Sequence, residues 1–373
     1  MRPFEDGRAA CTLLGEEPWR PGKSDFDTAL SNSLGYRVYQ NAASKDQLYW
    51  VSKAKACDAT CRAIDAQGKV HRVDCGKKLP ILCTQGAPVS TSTANNNSVH
   101  WQVQQTVGSK VLTGYRDYHV WKFRGIRYAD KPERFTYSKV ASFDEPGTVN
   151  ATEAGADCSQ PIGEVKSGSS EDCLFANVWT PYLPSSGDKT NNLKPVMLYL
   201  YGGGYTSGSG KNPNTDGTNL ASRGDVVVVS VNYRVGSLGF LNLNDGVHNG
   251  NYAISDMVTA LEWIHKYIKY FGGDPDNVTL FGESAGAGST HAVLGVPQAK
   301  GLFHRAALQS SPDGYPGNGK LLAYPYYPSL GENYEATTKK VLEAAACLNA
   351  TDKIACLSKL SGFDLVTLST NAK

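Results

Sequence analysis

The sequence predicts an α/β chain, a domain of alternating strands and helices preceded by a small cysteine-rich α+β module. Three observations lead there. Apolar strand-like runs alternate with helix-like ones in the later part of the chain, cysteines crowd the early part, and a polar stretch, "GAPVSTSTANNNS" (86–98), separates the two. That stretch is small-residue, polar and interrupted by proline, so it cannot bury a core and reads as a solvated linker. The expected organisation is a module over 1–85, a linker over 86–98 and a larger domain over 99–373. A chain of 373 residues exceeds what one core usually organises, which fits two units.

Composition excludes some functions. The 37 basic and 35 acidic residues leave a formal charge of +2 with no block of like charge, so nothing points to nucleic acid. No uninterrupted apolar run reaches transmembrane length, so no membrane span is expected. The cysteines fall into groups: Cys11, Cys57, Cys61, Cys75 and Cys83, then Cys158 and Cys173, then Cys347 and Cys356. Local pairs suggest disulfides and an oxidising compartment. N-x-S/T sequons at Asn96, Asn150, Asn277 and Asn349 agree with secretion and are candidate glycosylation sites. The opening "MRPFEDGRAACTLL" lacks the apolar region of a signal peptide. The expectation is an extracellular protein whose leader is not in this chain.

In the larger domain, "VMLYLYGGG" (196–204) and "DVVVVSVNYR" (225–234) are continuous β-branched and apolar runs, as expected of central strands covered on both faces. "NYAISDMVTALEWIHKYIKYF" sets Ile254, Met257, Val258, Leu261, Ile264, Ile268 and Phe271 at spacings of three and four and is followed by two glycines. This predicts an amphipathic helix running to Phe271. "GGDPDN" then leads into the strand "VTLFG", a serine, and the small-residue helix "AGAGSTHAVLGV".

That serine, Ser284, sits in a G-x-S-x-G turn between strand and helix. A free hydroxyl is a poor nucleophile; it needs an exposed perch, a base within reach and donors for the oxyanion formed on attack. Gly282 and Gly286 lack Cβ atoms, so the strained turn can pack between strand and helix with Ser284 Oγ outward. The helix N-terminus behind it favours developing negative charge. The second element is "YGGGY" (201–205), whose unobstructed amides suit an oxyanion hole. The expected donors are Gly203, Gly204 and Ala285.

From about Trp101 onward the sequence resembles the type-B carboxylesterases, the family that includes cholinesterases, fungal lipases and neuroligins. The resemblance is carried by "FRGIRYADKPERF", "EDCLFANVWTP", "YGGGYTSGSG", "VNYRVGSLGFL", "FGGDPDNVTLFGESAGAGS" and "GLFHRAALQSS", all in the family's order. It implies an α/β-hydrolase fold, with Ser284 as nucleophile, Gly203, Gly204 and Ala285 as oxyanion hole, and Glu283 tuning the site electrostatically. It implies disulfides Cys158–Cys173 and Cys347–Cys356, which the local spacing also suggests, and structural ion pairs Arg134–Glu171 and Arg234–Asp256. The implied partner is a small-molecule carboxylic ester, with no cofactor and no metal. The loop between Cys158 and Cys173 is short and carries no tryptophan, which favours a general esterase over choline-specific or lid-gated chemistry. Tyr205 and "TSGSGKNPNTDG" are expected to border the pocket.

A serine nucleophile needs a histidine base, and the histidine needs an acid to fix its tautomer. In the family both follow the nucleophile in segments that this chain lacks. After Ser284 only His291 and His304 remain. His291 lies almost two helical turns on, about 10 Å along the axis, too far to touch Oγ; His304 lies within "GLFHRA", where packing or hydrogen bonding is its expected role. The expectation is an incomplete α/β-hydrolase, missing its C-terminal part, that does not hydrolyse esters efficiently as it stands. The alternatives are an adhesion protein on the esterase fold, as in neuroligins, and a glycan-binding module carrying a degenerate esterase.

The early module has a cysteine near each end, an aromatic "YW" and a terminal "LPILC", and is faintly similar to C-type lectin-like domains. On that resemblance Cys11–Cys83 and Cys61–Cys75 pair and Cys57 is left over. The bland reading is a small disulfide-stapled spacer.

Overall fold

The computed structural model describes residues 1–22, 30–54, 60–89, 96–161, 168–184, 193–312 and 328–371. Cys57 and residues 90–95 of the linker lie outside the described residues. The chain divides into two compact units, Met1–Val89 and Ser90–Lys373.

The first unit holds helices α1 (Phe4–Leu13) and α2 (Ser31–Tyr39) and an antiparallel sheet of β1 (Tyr49–Val51), β2 (Cys61–Ile64) and β3 (Val70–Val73) in that order. Successive side chains of a strand point to opposite faces, and this splits the unit's core in two. Trp50, Cys61 and Ala63 face Phe4 of α1, whose ring meets Trp50 edge-on at 5.8 Å. Tyr49, Val51 and Ile64 face Leu34 of α2. Disulfides join Cys11 to Cys83 and Cys61 to Cys75. Because the first closes a long loop, it removes about 4 kcal/mol of unfolded-chain entropy on the loop-closure model, which matters for a unit this small.

The second unit is built on a nine-stranded mixed sheet. Its strands are β4 (Gln102–Val107), β5 (Lys110–Asp117), β6 (Val120–Arg127), β7 (Gly147–Asn150), β10 (Phe175–Thr180), β11 (Lys194–Leu200), β12 (Val227–Val231), β13 (Gly273–Glu283) and β14 (Arg305–Gln309). The short pair β8 (Asp157–Cys158) and β9 (Ser169–Ser170) stands apart. The order across the sheet is β14-β13-β11-β12-β10-β6-β5-β4, with β7 beside β5. Strands β12, β11, β13 and β14 run parallel, and β10, β6, β5 and β4 pair antiparallel. Alternation again divides the side chains. Val227, Val229 and Val231 belong to the main core with α5 (Tyr252–Tyr267) and α6 (Ala285–Leu294), whereas Val228 and Trp179 pack against Ala221 of α3 (Thr218–Gly224) on the other face. That two-sided cover is why these strands read as unbroken apolar runs. The edge strand β14 is exposed along its length.

Two boundaries differ from the sequence reading. The helix predicted to reach Phe271 ends as an α-helix at Tyr267 and closes with a tight turn over Ile268–Phe271, because Gly272 takes a left-handed φ of 78°. The following strand begins at Gly273, well before "VTLFG". The C-terminal helices α8 (Lys339–Ala344), α9 (Lys353–Leu357) and α10 (Gly362–Asn371), after the short α7 (Leu330–Asn333), form their own small core. There Leu342, Leu357, Leu365 and Val366 meet Leu238 and Leu241 at α4 (Gly236–Phe240). Cys347–Cys356 staples this cluster, and Cys158–Cys173 closes the loop that precedes β10.

Ion pairs tie the periphery to the sheet. Arg134 forks onto Glu171 at 2.6 Å and donates to the carbonyls of Leu357 and Leu360, so it also caps α9. Lys122, buried on β6, pairs with Asp117 and, at 3.0 Å, with Asp216 at the start of α3. Burial pushes the Asp216 carboxyl up, but the Lys122 ammonium and the hydrogen bond from the Thr218 N–H outweigh it and hold its pKa below the ordinary aspartate value. The sign follows: with the folded pKa depressed, the unfolded chain binds the proton more readily. The contribution is present above about pH 4 and is lost as pH falls through the folded value. Asp216→Asn is therefore expected to lower stability at neutral pH and to flatten the acid limb of stability against pH. Urea titrations between pH 3 and 7 check this; parallel acid limbs for the two proteins would count against it.

Candidate active site

The turn at Ser284 is built by local backbone chemistry. Ser284 has φ 53° and ψ −122°, a strained conformation for a residue with a Cβ. It persists because its surroundings hold it: its N–H donates to the Gln309 carbonyl of β14 at 2.9 Å, and its carbonyl accepts from Gly288 in α6 at 3.0 Å. The two flanking glycines are required sterically. A Cβ on Gly282 would stand 2.4 Å from the Gly286 carbonyl oxygen, and one on Gly286 would stand 2.1 Å from the Leu200 carbonyl oxygen. Strand β13 thus delivers Ser284 to the head of α6, whose first-turn amides, that of Ala285 included, have no intrahelical acceptor. Their partial positive charge lies where an anion would form.

The glycine run is brought alongside by the parallel pairing of β11 and β13, in which Leu200 lies opposite Gly282. Gly202 then packs so close that a Cβ on it would stand 3.1 Å from Ser284 Cβ and 2.8 Å from the Glu283 side chain. Gly203 and Gly204 follow with φ of 121° and 60° and are exposed. Their turn is closed by the amides of Thr206 and Ser207, both donating to the Gly203 carbonyl at 3.1 Å. None of these bonds uses the Gly203 or Gly204 amide. Tyr205, also at positive φ, lays its ring edge-on to Phe240 at 5.5 Å and its hydroxyl against Gly288. It therefore stands over the first turn of α6, beside Ser284.

Below the glycines, Tyr201 and Tyr233 stack at 4.0 Å, and each hydroxyl donates to the other residue's carbonyl. Burial pushes the Tyr201 phenol far above its ordinary range, so both act as neutral hydrogen-bonding struts. Glu283 is exposed next to Ser284, and its charge contributes, after burial, to raising the Tyr199 phenol. Arg234–Asp256 is formed and buried, with bonds of 2.7 and 2.9 Å.

Neither later histidine is placed as a base. His304 uses Nδ1 to accept the Val278 amide at 3.1 Å, a strand-end hydrogen bond. His291 stands in the last turn of α6. Of the sequon asparagines, Asn96, Asn150 and Asn349 are exposed, whereas Asn277 is half-buried and accepts from Arg305 at 2.6 Å. Among the described residues no helix is long and apolar enough to cross a membrane.

The chain is similar in sequence and fold to known carboxylesterases. A family model described as the carboxylesterase family matches residues 95–369. Acetylcholinesterase-1 of Trittame loki is 44% identical over 209 residues, covering 53% of this chain and 37% of that protein. Para-nitrobenzyl esterase of Bacillus subtilis (strain 168) is 40% identical over 220 residues, covering 56% of this chain and 43% of that protein. Esterase E4 of Myzus persicae is 37% identical over 297 residues, covering 76% and 50% respectively. Among solved structures, a thermophilic para-nitrobenzyl esterase superposes with a TM-score of 0.62 at 32% identity, covering 72% of this chain and 53% of that one. The carboxylesterase EST55 of Geobacillus stearothermophilus gives 0.60 at 33% identity, with 72% and 53% covered. The chain spans half or less of the length of these three curated relatives.

Proposed function

The chain belongs to the carboxylesterase family, and from that premise we propose that it carries the nucleophile and oxyanion hole of a type-B carboxylic ester hydrolase working through a serine acyl-enzyme. The observation that carries this reading is the juxtaposition of a strained, half-buried Ser284 with the glycine run, Gly202 lying against the serine's Cβ. Ser284 Oγ attacks the acyl carbonyl carbon, and the carbonyl oxygen becomes an oxyanion held by the amides of Gly203, Gly204 and Ala285. Collapse of that intermediate breaks the ester C–O bond, and the alcohol leaves with the proton given up by Ser284. Water then hydrolyses the acyl-serine by the same route in reverse. Glu283 adds a fixed negative charge beside the nucleophile, which favours a cationic base. Neither later histidine serves as the base in this reading, since His304 accepts the Val278 amide and His291 stands in the last turn of α6. The four disulfides support an oxidising, extracellular setting.

The test is covalent trapping with a base supplied. Incubation with p-nitrophenyl acetate and imidazole is expected to leave one acetyl group on the Ser284 peptide, seen by mass spectrometry and absent from Ser284→Ala. Imidazole-dependent release of p-nitrophenol is expected to exceed that of Ser284→Ala at every imidazole concentration. An unmodified Ser284 peptide would overturn the ester reading. Rapid turnover without imidazole, abolished by Ser284→Ala, would overturn the exclusion of the two later histidines as base.

A further inference from the structure

Beyond the oxyanion glycines the chain continues as Ser207, Gly208, Ser209, Gly210 and Lys211. A glycine-rich loop has little side chain with which to pack itself, yet this one is gripped along its length by buried polar groups. The Gln160 side chain holds Gly208 with both ends of its amide: its NH2 donates to the Gly208 carbonyl at 3.0 Å, and its oxygen accepts the Gly208 N–H at 3.0 Å. The same NH2 also donates to the Cys158 carbonyl at 3.0 Å. Asp157 accepts the Ser209 hydroxyl and pairs with the Lys211 ammonium at 3.1 Å. On the other side the Gly210 N–H donates to Asn232 at 2.9 Å, while the Gly210 carbonyl accepts from Ser230 and Asn177. Gln160, Asp157, Asn177, Ser230 and Asn232 are all buried. Burying polar groups costs free energy unless they are paired; here much of that pairing is spent on one loop.

The grip reaches the site through few bonds. Gly208 follows the turn in which Gly203 accepts from Thr206 and Ser207, and a Cβ on Gly208 would lie 2.2 Å from the Tyr201 ring. The loop therefore rests on the tyrosine pair with no slack, and a shift at Gly208 moves the Gly203 and Gly204 amides.

We propose that Gln160 is a positioning residue for the oxyanion hole, fixing Gly208 and through the 203–207 turn the amides that receive the developing charge. The Cys158–Cys173 disulfide anchors Gln160 in turn, through the Cys158 carbonyl. This rests on the reading of Gly203 and Gly204 as oxyanion donors. Donors stabilise an oxyanion most when they need no reorganisation at the moment of reaction, and this clamp supplies that rigidity.

Gln160→Met keeps the volume and removes both bonds to Gly208. Gln160→Glu keeps the shape and, once protonated, again offers one donor and one acceptor to Gly208. Two readouts are needed: amide hydrogen exchange over 203–210, and the imidazole-supported acetylation of Ser284 split into its maximal rate and half-saturating ester concentration. Gln160→Met is expected to speed exchange over 203–210. It is also expected to lower the maximal rate on the order of 100-fold, the loss typical of one oxyanion donor, with half-saturation nearly unchanged. The Gln160→Glu rate, taken relative to wild type at each pH, is expected to climb toward acid, and this remains decisive if Gln160→Met fails to fold. Unchanged exchange in Gln160→Met, a loosened loop with an unchanged rate, or a flat Gln160→Glu ratio would each overturn the proposal. A wild-type protein that takes no acetyl group overturns the ester reading and with it the catalytic role, while the exchange result still decides whether Gln160 holds the loop.

Discussion

Gly286→Ala is expected to abolish acetylation of Ser284 and to lower the melting temperature by roughly 10 °C, whereas Gly295→Ala, just past the other end of the same helix, leaves both nearly unchanged. The contrast lies in what each added Cβ meets. At Gly286 it would enter a wall of backbone, 2.1 Å from the Leu200 carbonyl and 2.7 Å from the Tyr201 carbonyl. Neither can swing aside, because β11 is hydrogen-bonded between β12 and β13. Relief requires α6 to lift from β11, which carries Ser284 away from Gly203 and Gly204. Overpacking ordinarily costs about 1–3 kcal/mol, and a clash confined to backbone belongs at or above the top of that range. At Gly295 the nearest atom is the Ala292 carbonyl oxygen at 3.5 Å, an ordinary contact, and φ is −89°. Thermal melts with mass spectrometry of the Ser284 peptide check both variants. A Gly286→Ala protein that melts and acetylates like wild type would show that the turn is looser than its geometry.

Asp256→Ala is expected to cost about 3–5 kcal/mol, because it leaves the Arg234 guanidinium buried without its counter-charge. Asp256 is fully buried and the Arg234 side chain is 4% exposed. Arg234 binds Asp256 through Nε and Nη2, and its backbone N–H donates to the same carboxylate at 3.0 Å. Its remaining contacts, to the carbonyls of Glu133 and Tyr252, are longer. The pair ties the segment after β12 to the first turns of α5, close to the helix α4 on which the C-terminal core is built. Replacing both partners with apolar residues, Arg234→Met with Asp256→Leu, is expected to recover most of the loss, since a buried ion pair contributes little beyond what its own desolvation costs. Guanidinium chloride titrations of the two singles and the double give the coupling. A loss below about 1 kcal/mol in Asp256→Ala would show that water reaches Arg234, contrary to its burial.

Much of the candidate site was legible because its demands are local. A serine at positive φ between strand and helix needs glycines two residues to either side, so G-x-S-x-G can be read without a partner in view. The three glycines after "VMLYLY" were equally readable, since a strand ending in residues without Cβ leaves amides open. The end of α5 was not: the three-four spacing continues to Phe271, and the helix stops sooner because the tight turn over Ile268–Phe271 keeps the same apolar side chains inward.

What sequence by itself determined, then, were the features written in neighbouring residues: the strained G-x-S-x-G turn, the glycine run, the doubly covered strands and the short-range Cys347–Cys356 and Cys158–Cys173 pairs. What only the tertiary structure decided were the partners of buried polar groups: Gln160 on Gly208, Asn232 on Gly210, Lys122 on Asp216 and Gln309 on the Ser284 amide. A hydrophobic period repeats along the chain and can be read from any stretch of it. A buried hydrogen bond is a single pairing across dozens of residues, required only because folding has removed both groups from water.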